Sequence, residues 1–263
     1  MSGGDGVLRL LALFSTAEPV LTPARAMAAL AVSRASAYRY LRRLELAGFV
    51  ERVAERGYVL GPAIVELDRQ IRLTDPLLEA AQGLTATLSR DTGGTTLLCR
   101  FHGDKVLCIE QSVGANAPPA ISYERGRAMP LYRGATSKII LAFLKRDALE
   151  ALWRRQKKEM ARAGLPAGFA ALCAALAPLR EARICVTANE VDTDAQGFAA
   201  PILDGARVLG SVSVVLPAST LKPAQRARVA ARVLEAAARI EARIETARQA
   251  ARRRKGGGKG APP

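Results

Sequence analysis

The chain has 263 residues, enough for two domains of about 100–150 residues each. Hydrophobic residues make up 49% of it and charged residues 24%, a globular composition that excludes a wholly disordered chain. The net charge of +15 suggests a polyanionic partner, but residues 222–263 alone carry 12 basic and 3 acidic side chains. A claim of nucleic-acid binding must therefore depend on motifs.

The expected compartment follows from what the sequence lacks. No apolar run approaches about 18 residues and the first residues have no basic start, so we expect neither a membrane span nor a signal peptide. The four cysteines show no CxxC or metal-binding spacing, and we interpret them as reduced thiols of a cytoplasmic protein. Because His102 is the one histidine, we predict no metal site and no cofactor.

The first 61 residues are typical of three helices and a β-ribbon. The predicted elements are helices over 6–15, 23–30 and 34–47 and strands over 49–53 and 58–60. Thr22 and Ser33 are predicted N-caps of the second and third helices, and Gly48 is a predicted left-handed cap at the end of the third. The tight turn at Ala31 and Val32 makes this the order of a winged helix-turn-helix, in which the third helix enters the major groove of DNA.

The third helix has two faces. Ala37, Leu41 and Leu44 recur at helical spacing and would face inward, so the opposite side would be basic. Arginine can make a bidentate hydrogen bond to O6 and N7 of guanine, and serine and tyrosine can reach phosphates or base edges. The predicted DNA-binding residues are Thr22, Ser33, Arg34, Ser36, Tyr38, Arg39, Arg42 and Arg43, with Arg52 and Arg56 of the wing. The alternative is that these arginines form only a solvated helix face.

The remaining residues mix strands and helices, which predicts an antiparallel sheet covered by helices. Helices are predicted over 62–73, 76–90, 133–144, 147–163, 169–182 and 223–254, and strands over 95–101, 105–112, 120–122, 184–188, 197–203 and 207–216. The last helix carries an apolar stripe that either packs on its own domain or forms a subunit contact.

The start of the predicted helix 133–144 is a candidate anion site. The backbone N–H groups of Gly134, Ala135 and Thr136 would point outward at the positive helix end, beside Arg133. Such a site would bind a carboxylate. The alternative is an ordinary capped helix with surface arginines.

Three segments carry a family resemblance. The first is LAVSRASAYRYLRRLELAGFVER followed by GYVLG, the second is RGRAMPLYRGATSKIILAFL, and the third is GFAAPILDGARVLGSVSVVLP. Together they resemble the IclR-type transcriptional regulators over residues 6 to about 250. The resemblance implies an α+β protein with a winged helix-turn-helix at 1–61, a linker helix at 62–75 and a GAF-like α/β effector-binding domain at 76–250. We expect residues 251–263 to be a disordered basic tail.

The resemblance also implies partners. Members of this family bind double-stranded DNA as homodimers or as dimers of dimers and respond to small organic acids or aromatics. Transferred position by position, the effector contacts fall on Ala135, Thr136, Thr187, Gly197, Ser213 and Val215, with Ile121 and Met129 as apolar walls. Relatives that bind very small acids carry carboxylate, thiol or hydroxyl groups where this chain has Thr187, Gly197 and Val215. We therefore expect a larger, aromatic acid.

Two other classes of function are weighed against a regulator. One is an adaptor whose winged helix binds protein. The other is a small α/β enzyme with a basic accessory domain, but the sequence has no nucleophile elbow, P-loop, dinucleotide fingerprint or metal cluster. We therefore predict a regulator that is not an enzyme.

Overall fold

The computed structural model describes residues 3–53, 57–118 and 121–257. The chain forms two compact units, Met1–Asp75 and Pro76–Pro263. Within the described ranges, no helix combines the length and apolarity that a membrane span requires. All four cysteines are free thiols.

The first unit consists of helices and a two-stranded ribbon. Its elements are α1 (Gly3–Leu11), α2 (Pro23–Leu30), α3 (Arg34–Leu46), β1 (Val50–Val53), β2 (Gly57–Leu60) and α4 (Ala63–Thr74). Gly48 has a φ of +72°, which confirms the predicted left-handed cap after α3. The ribbon is antiparallel, with Val50 opposite Leu60, and Leu21 adds a bridge to Tyr58 that the sequence did not predict. Leu10, Leu30 and other apolar side chains form one core beneath these elements.

The second unit is built on one six-stranded antiparallel sheet. Its elements are α5 (Pro76–Ala81), α6 (Leu84–Thr92), β3 (Thr95–His102), β4 (Lys105–Ser112), β5 (Ala128–Pro130), α7 (Gly134–Ala142), α8 (Arg146–Arg162), α9 (Phe169–Ala182), β6 (Cys185–Ala188), β7 (Ala195–Asp204), β8 (Arg207–Pro217) and α10 (Pro223–Gly257). The strand order is β5-β4-β3-β8-β7-β6.

The sheet separates two apolar cores because successive side chains of a strand point to opposite faces. On one face, Leu97 and Val215 pack with residues of α7, α8 and α9. On the other face, Val212 and Val214 pack with residues of α5, α6 and α10. The stripe of α10 lies in this second core, so its predicted packing on its own domain is confirmed.

Several predicted boundaries are wrong. The first helix, expected over 6–15, spans Gly3–Leu11. The helix expected over 76–90 is two helices, because Gly83 adopts a φ of +76° between α5 and α6. Ile121 and Ser122 are not in a strand, and the fifth strand is β5 instead, whereas Ala120 lies outside the described residues. Residues 251–257 continue α10 rather than forming a disordered tail, and residues 258–263 lie outside the described part.

Candidate functional sites

Helix α3 has one apolar and one basic face. Ala37, Leu41 and Leu44 are buried in the core of the first unit, as the sequence predicts. The opposite side exposes Arg34, Tyr38, Arg39, Arg42 and Arg43, whereas Ser36 is half-buried. The guanidinium of Arg34 lies 5.6 Å from the centre of the Tyr38 ring, so a cation–π contact orients both side chains.

The arginines of this face differ in how firmly they are held. Arg42 Nη1 lies 2.9 Å from the Glu45 carboxylate, one turn further along the helix. Arg39 Nη2 donates a long hydrogen bond of 3.4 Å to Ser36 Oγ, and its guanidinium lies 5.6 Å from the centre of the Tyr40 ring. Neither of these contacts is an ion pair, so Arg39 can turn to an outside acceptor at less cost than Arg42, which must exchange its carboxylate partner.

Thr22 and Ser33 are N-caps, as predicted. Thr22 Oγ1 accepts from the Arg25 N–H at 3.2 Å, and Ser33 Oγ accepts from the Ser36 N–H at 3.3 Å. Both residues are exposed at the starts of α2 and α3. The positive end of a helix favours phosphate at such a position.

The ribbon contains one described cation among the predicted DNA-binding residues. Arg52 is exposed on β1, opposite Tyr58, and Glu51 is exposed beside it. The other predicted wing cation, Arg56, lies outside the described residues, as does Glu55. The predicted contribution of the wing therefore depends on Arg52 within the described chain.

A small cavity lies at the start of α7 in the second unit. Its volume is about 30 Å³, room for a single water molecule. Seven of the ten predicted effector residues line it: Ile121, Gly134, Ala135, Thr136, Thr187, Gly197 and Val215. The sheet and α7 thus bring together residues that lie up to 94 positions apart, as Ile121 and Val215 do.

The other three predicted effector residues lie outside the cavity. Arg133 is exposed and lines an adjacent cleft. Ser213 is buried behind the cavity wall, where its Oγ accepts from Thr136 Oγ1 at 3.0 Å. Met129 lies on β5 opposite Val106 and packs against the core, so it is not among the residues lining either space.

Two of the three predicted anion-binding N–H groups already have partners in this chain. The Gly134 N–H donates to Glu190 Oε2 at 3.1 Å, and the Ala135 N–H donates to Thr187 Oγ1 at 3.0 Å. Lys138 Nζ, one turn further along α7, lies 2.6 Å from Glu190 Oε1. A carboxylate of the protein itself therefore occupies the position where the sequence predicts a bound carboxylate.

Glu190 belongs to the loop between β6 and β7, residues 189–194, which we call the strap. Each of its three carboxylates is held by a different part of the unit. Asp192 accepts from both the backbone N–H and the hydroxyl of Ser122, with an N–H distance of 2.8 Å. Asp194 accepts from the N–H of Ser219 at 2.7 Å. The strap therefore closes one side of the small cavity, which Glu190 and Asp192 both line.

Gly134 is required where the strap crosses α7. Its φ is +76°, and a Cβ there would lie 2.8 Å from Val191 Cγ2. A side chain at this position would therefore push the strap away from the helix. The sequence motif identified Gly134 for its N–H group, but its close approach to Val191 depends on the folded sheet.

Two ionisable groups beside the cavity stay neutral. Burial raises the pKa of Tyr123 well above its usual range, and its hydroxyl donates to the Arg133 carbonyl at 2.8 Å. Ser137 Oγ lies 2.6 Å from the same hydroxyl. Burial also raises the pKa of Cys185 to about 12, so this thiol is protonated at neutral pH and is a poor nucleophile.

Sequence reasoning missed Lys138 and five of the twelve residues that line the cavity: Tyr123, Glu190, Val191, Asp192 and Ala195. Lys138 follows the predicted N–H cluster by one helical turn, and this spacing was the available signal. Glu190 and Tyr123 are brought to α7 by the loops around it, and no local pattern marks them.

A larger cleft lies outside the strap. It has a volume of about 540 Å³ and is lined by Pro130, Tyr132, Arg133, Glu159, Arg162, Ala163 and Glu190. Arg133 Nη2 donates to the Glu190 backbone carbonyl at 2.8 Å, so the rim of the cleft is tied to the strap. Glu190 is common to the linings of the cleft and of the cavity.

Comparison with known proteins covers both units. The family described as bacterial transcriptional regulator IclR C-terminal matches residues 73–242, and the IclR helix-turn-helix domain matches residues 7–54. The regulator XynR of Escherichia coli K12 is 28% identical over 226 residues, which cover 85% of this chain and 89% of that protein.

Solved structures share the fold. An IclR-type protein from Silicibacter sp. TM1040 superposes with a TM-score of 0.76 at 23% identity, covering 92% of this chain and 96% of that one. An IclR homologue from Microbacterium hydrocarbonoxydans, crystallised in complex with 4-hydroxybenzoate, has a TM-score of 0.74 at 20% identity and covers 93% of this chain and 100% of that one. The chain belongs to the IclR family of transcriptional regulators, with an N-terminal helix-turn-helix DNA-binding domain and a C-terminal effector domain.

Proposed function

We propose that this regulator binds its operator through the basic face of α3 and senses an aromatic carboxylate in its second unit. The observation that carries the proposal is the exposed arginine face of α3, held from below by buried Ala37, Leu41 and Leu44. Arg34, Arg39 and Arg43 are the candidates for base contacts, and the capped starts of α2 and α3 are the candidates for phosphate contacts.

The chemistry around α7 supports a carboxylate as effector. Gly134 and Lys138 present an N–H group and an ammonium group that already hold a carboxylate. The wall residues Ile121, Ala135 and Val215 are apolar, which favours a ligand with a hydrophobic body. The structural relative in complex with 4-hydroxybenzoate supports an aromatic acid as the first candidate.

The cavity alone is too small for such a ligand. Its volume is about 30 Å³, whereas an apolar cavity of about 150 Å³ is known to hold benzene. The adjoining cleft, about 540 Å³, lies in the range typical of ligand sites. The ring of an aromatic acid would therefore lie in the cleft, with its carboxylate directed towards α7.

We also infer a homodimer, or a pair of homodimers, acting in the cytoplasm. Helix α4 buries none of its residues in this chain. Leu67 and Ile71 lie four residues apart on one side of it and are 48% and 53% exposed. Large apolar side chains in this arrangement are typical of a helix that pairs with another copy.

A promoter gel shift tests the proposal. The full-length protein is titrated onto DNA upstream of its own gene, with and without benzoate, 4-hydroxybenzoate or the small keto acid pyruvate. We expect a specific shift whose midpoint changes with an aromatic acid and not with pyruvate. No specific shift would favour a protein-binding adaptor, and a response to pyruvate alone would contradict the aromatic assignment.

A further inference from the structure

Glu190 fills the anion position of α7 as a ligand would. One carboxylate oxygen accepts from the Gly134 N–H at 3.1 Å, and the other lies 2.6 Å from Lys138 Nζ. The Lys138 side chain is only 15% exposed, so its ammonium group needs an anion nearby. The Glu190 side chain is 32% exposed and is reached from the outer cleft.

Glu190 separates two spaces of very different size. On its inner side is the cavity of about 30 Å³, and on its outer side is the cleft of about 540 Å³. Rotation of this one side chain away from α7 would join the two spaces. A ligand carboxylate could then reach Gly134 and Lys138 while the rest of the ligand stays in the cleft.

The cleft also offers a place for the displaced carboxylate. Its lining contains the cations Arg133 and Arg162 against one other acid, Glu159. Glu190 would exchange Lys138 for a guanidinium, and the ligand would take over Lys138. Because one carboxylate replaces another, no buried charge is left without a partner.

We propose that Glu190 is an internal competitor for the effector and opens the site only to ligands that carry a carboxylate. This inference rests on the proposed function of the second unit as a sensor of an aromatic acid. A neutral aromatic ligand cannot supply the negative charge that Lys138 takes from Glu190. Glu190 therefore excludes such a ligand. The affinity for the effector is lowered by the interactions that Glu190 must give up.

Isothermal titration of the full-length protein with benzoate and 4-hydroxybenzoate tests this competition. The variants are Glu190→Gln, which removes the charge at α7, and Glu181→Gln, which removes a charge from an exposed position of α9 that lines neither the cavity nor the cleft. We expect Glu190→Gln to bind at least one acid about tenfold more tightly than the native protein, because a charge-assisted contact no longer competes. Glu181→Gln should stay within about twofold of the native protein, and benzamide should bind neither the native protein nor Glu181→Gln.

The outcomes separate this inference from the function on which it rests. If the native protein binds an aromatic acid but Glu190→Gln binds it no more tightly, or if Glu181→Gln gains as much, Glu190 does not compete and the sensing function stands. If neither acid binds to any of the three proteins, both the competition and the aromatic-acid assignment are wrong.

A second variant keeps the test independent of the glutamine substitution. In Glu190→Ala the anion position is empty, and formate is small enough to occupy it. We expect millimolar formate to raise the melting temperature of Glu190→Ala and to leave that of the native protein unchanged. An equal response of the two proteins to formate would contradict the competition.

Discussion

Arg39 and Arg42 are neighbours on the exposed side of α3, but they differ in what they already contact. Arg42 is paired with Glu45, whereas Arg39 makes a 3.4 Å contact with Ser36 and a cation–π contact with Tyr40. We expect Arg39→Ala to weaken operator binding by about 1–3 kcal/mol if the guanidinium contacts a base. Fluorescence anisotropy with labelled promoter DNA measures this loss, and the same titration with unrelated DNA shows whether specificity is lost as well.

Arg90→Ala is the matched control for Arg39→Ala. Arg90 is exposed on α6 in the second unit, so its removal lowers the net charge equally without touching the helix-turn-helix. Arg90→Ala should weaken operator binding by less than about 0.5 kcal/mol in the same buffer. An equal loss in both variants would mean that only total charge matters, and unchanged binding of Arg39→Ala would remove Arg39 from the interface.

The distance along the chain decides which of these residues could be predicted. Thr22 and Ser33 cap their helices by accepting from an N–H three residues later, so a short stretch of sequence contains both partners. Glu190 contacts Gly134 and Lys138, which lie 56 and 52 residues earlier. Such a contact exists only after the sheet has formed, and no alternation or cap residue indicates it.

Among the elements, β8 shows how closely strands can approach. Gly210 lies opposite Arg100 of β3 and Ile202 of β7. A Cβ at this position would lie 1.9 Å from the carbonyl oxygen of Cys99, a backbone atom that cannot move alone. We expect Gly210→Ala to lower the free energy of unfolding by about 3 kcal/mol, because three central strands must shift. Chemical denaturation followed by circular dichroism measures it.

Gly168→Ala is the corresponding control. A Cβ at Gly168 meets no atom within 4 Å, and its backbone has an ordinary φ of −86°. Gly168→Ala should lower the free energy of unfolding by at most about 1 kcal/mol, the effect of alanine at an N-cap. Comparable losses in the two variants would show that β8 tolerates a side chain at Gly210.

The elements that could be predicted are those with a strong local pattern. Helices α2, α3 and α9 agree with their predicted bounds within one residue because cap residues and apolar spacing mark them. Strand β5 was missed because it has three residues and is defined by pairing Met129 with Val106, across more than twenty residues. The end of α5 was missed because Gly83 reads as part of a continuous helical pattern until its φ is known.

For the whole molecule, the proposed dimer depends on one face of α4. Leu67 and Ile71 lie on this face, whereas Val65 is 71% exposed on the opposite side of the helix. We expect Leu67→Lys to convert the dimer to a monomer at micromolar concentration, because a buried ammonium would have no partner in the contact. Size-exclusion chromatography with light scattering measures the mass directly.

Val65→Lys tests whether dimer formation depends on one face of α4 or is lost with any lysine added to this helix. It introduces the same charge two residues away on the same element, so it should leave the mass unchanged. A dimer that survives Leu67→Lys, or that is lost equally in both variants, would contradict this pairing of α4 helices. Loss of operator binding together with the dimer would indicate that two α3 helices must bind at once.

The two outer strands of the sheet limit how copies of the protein can associate. β5 has three residues and ends in Pro130, which has no N–H group to donate, and β6 has four residues. An extended segment from another chain would therefore gain only a few backbone hydrogen bonds by joining either border. Growth into fibres by strand addition is therefore disfavoured at both borders of this sheet.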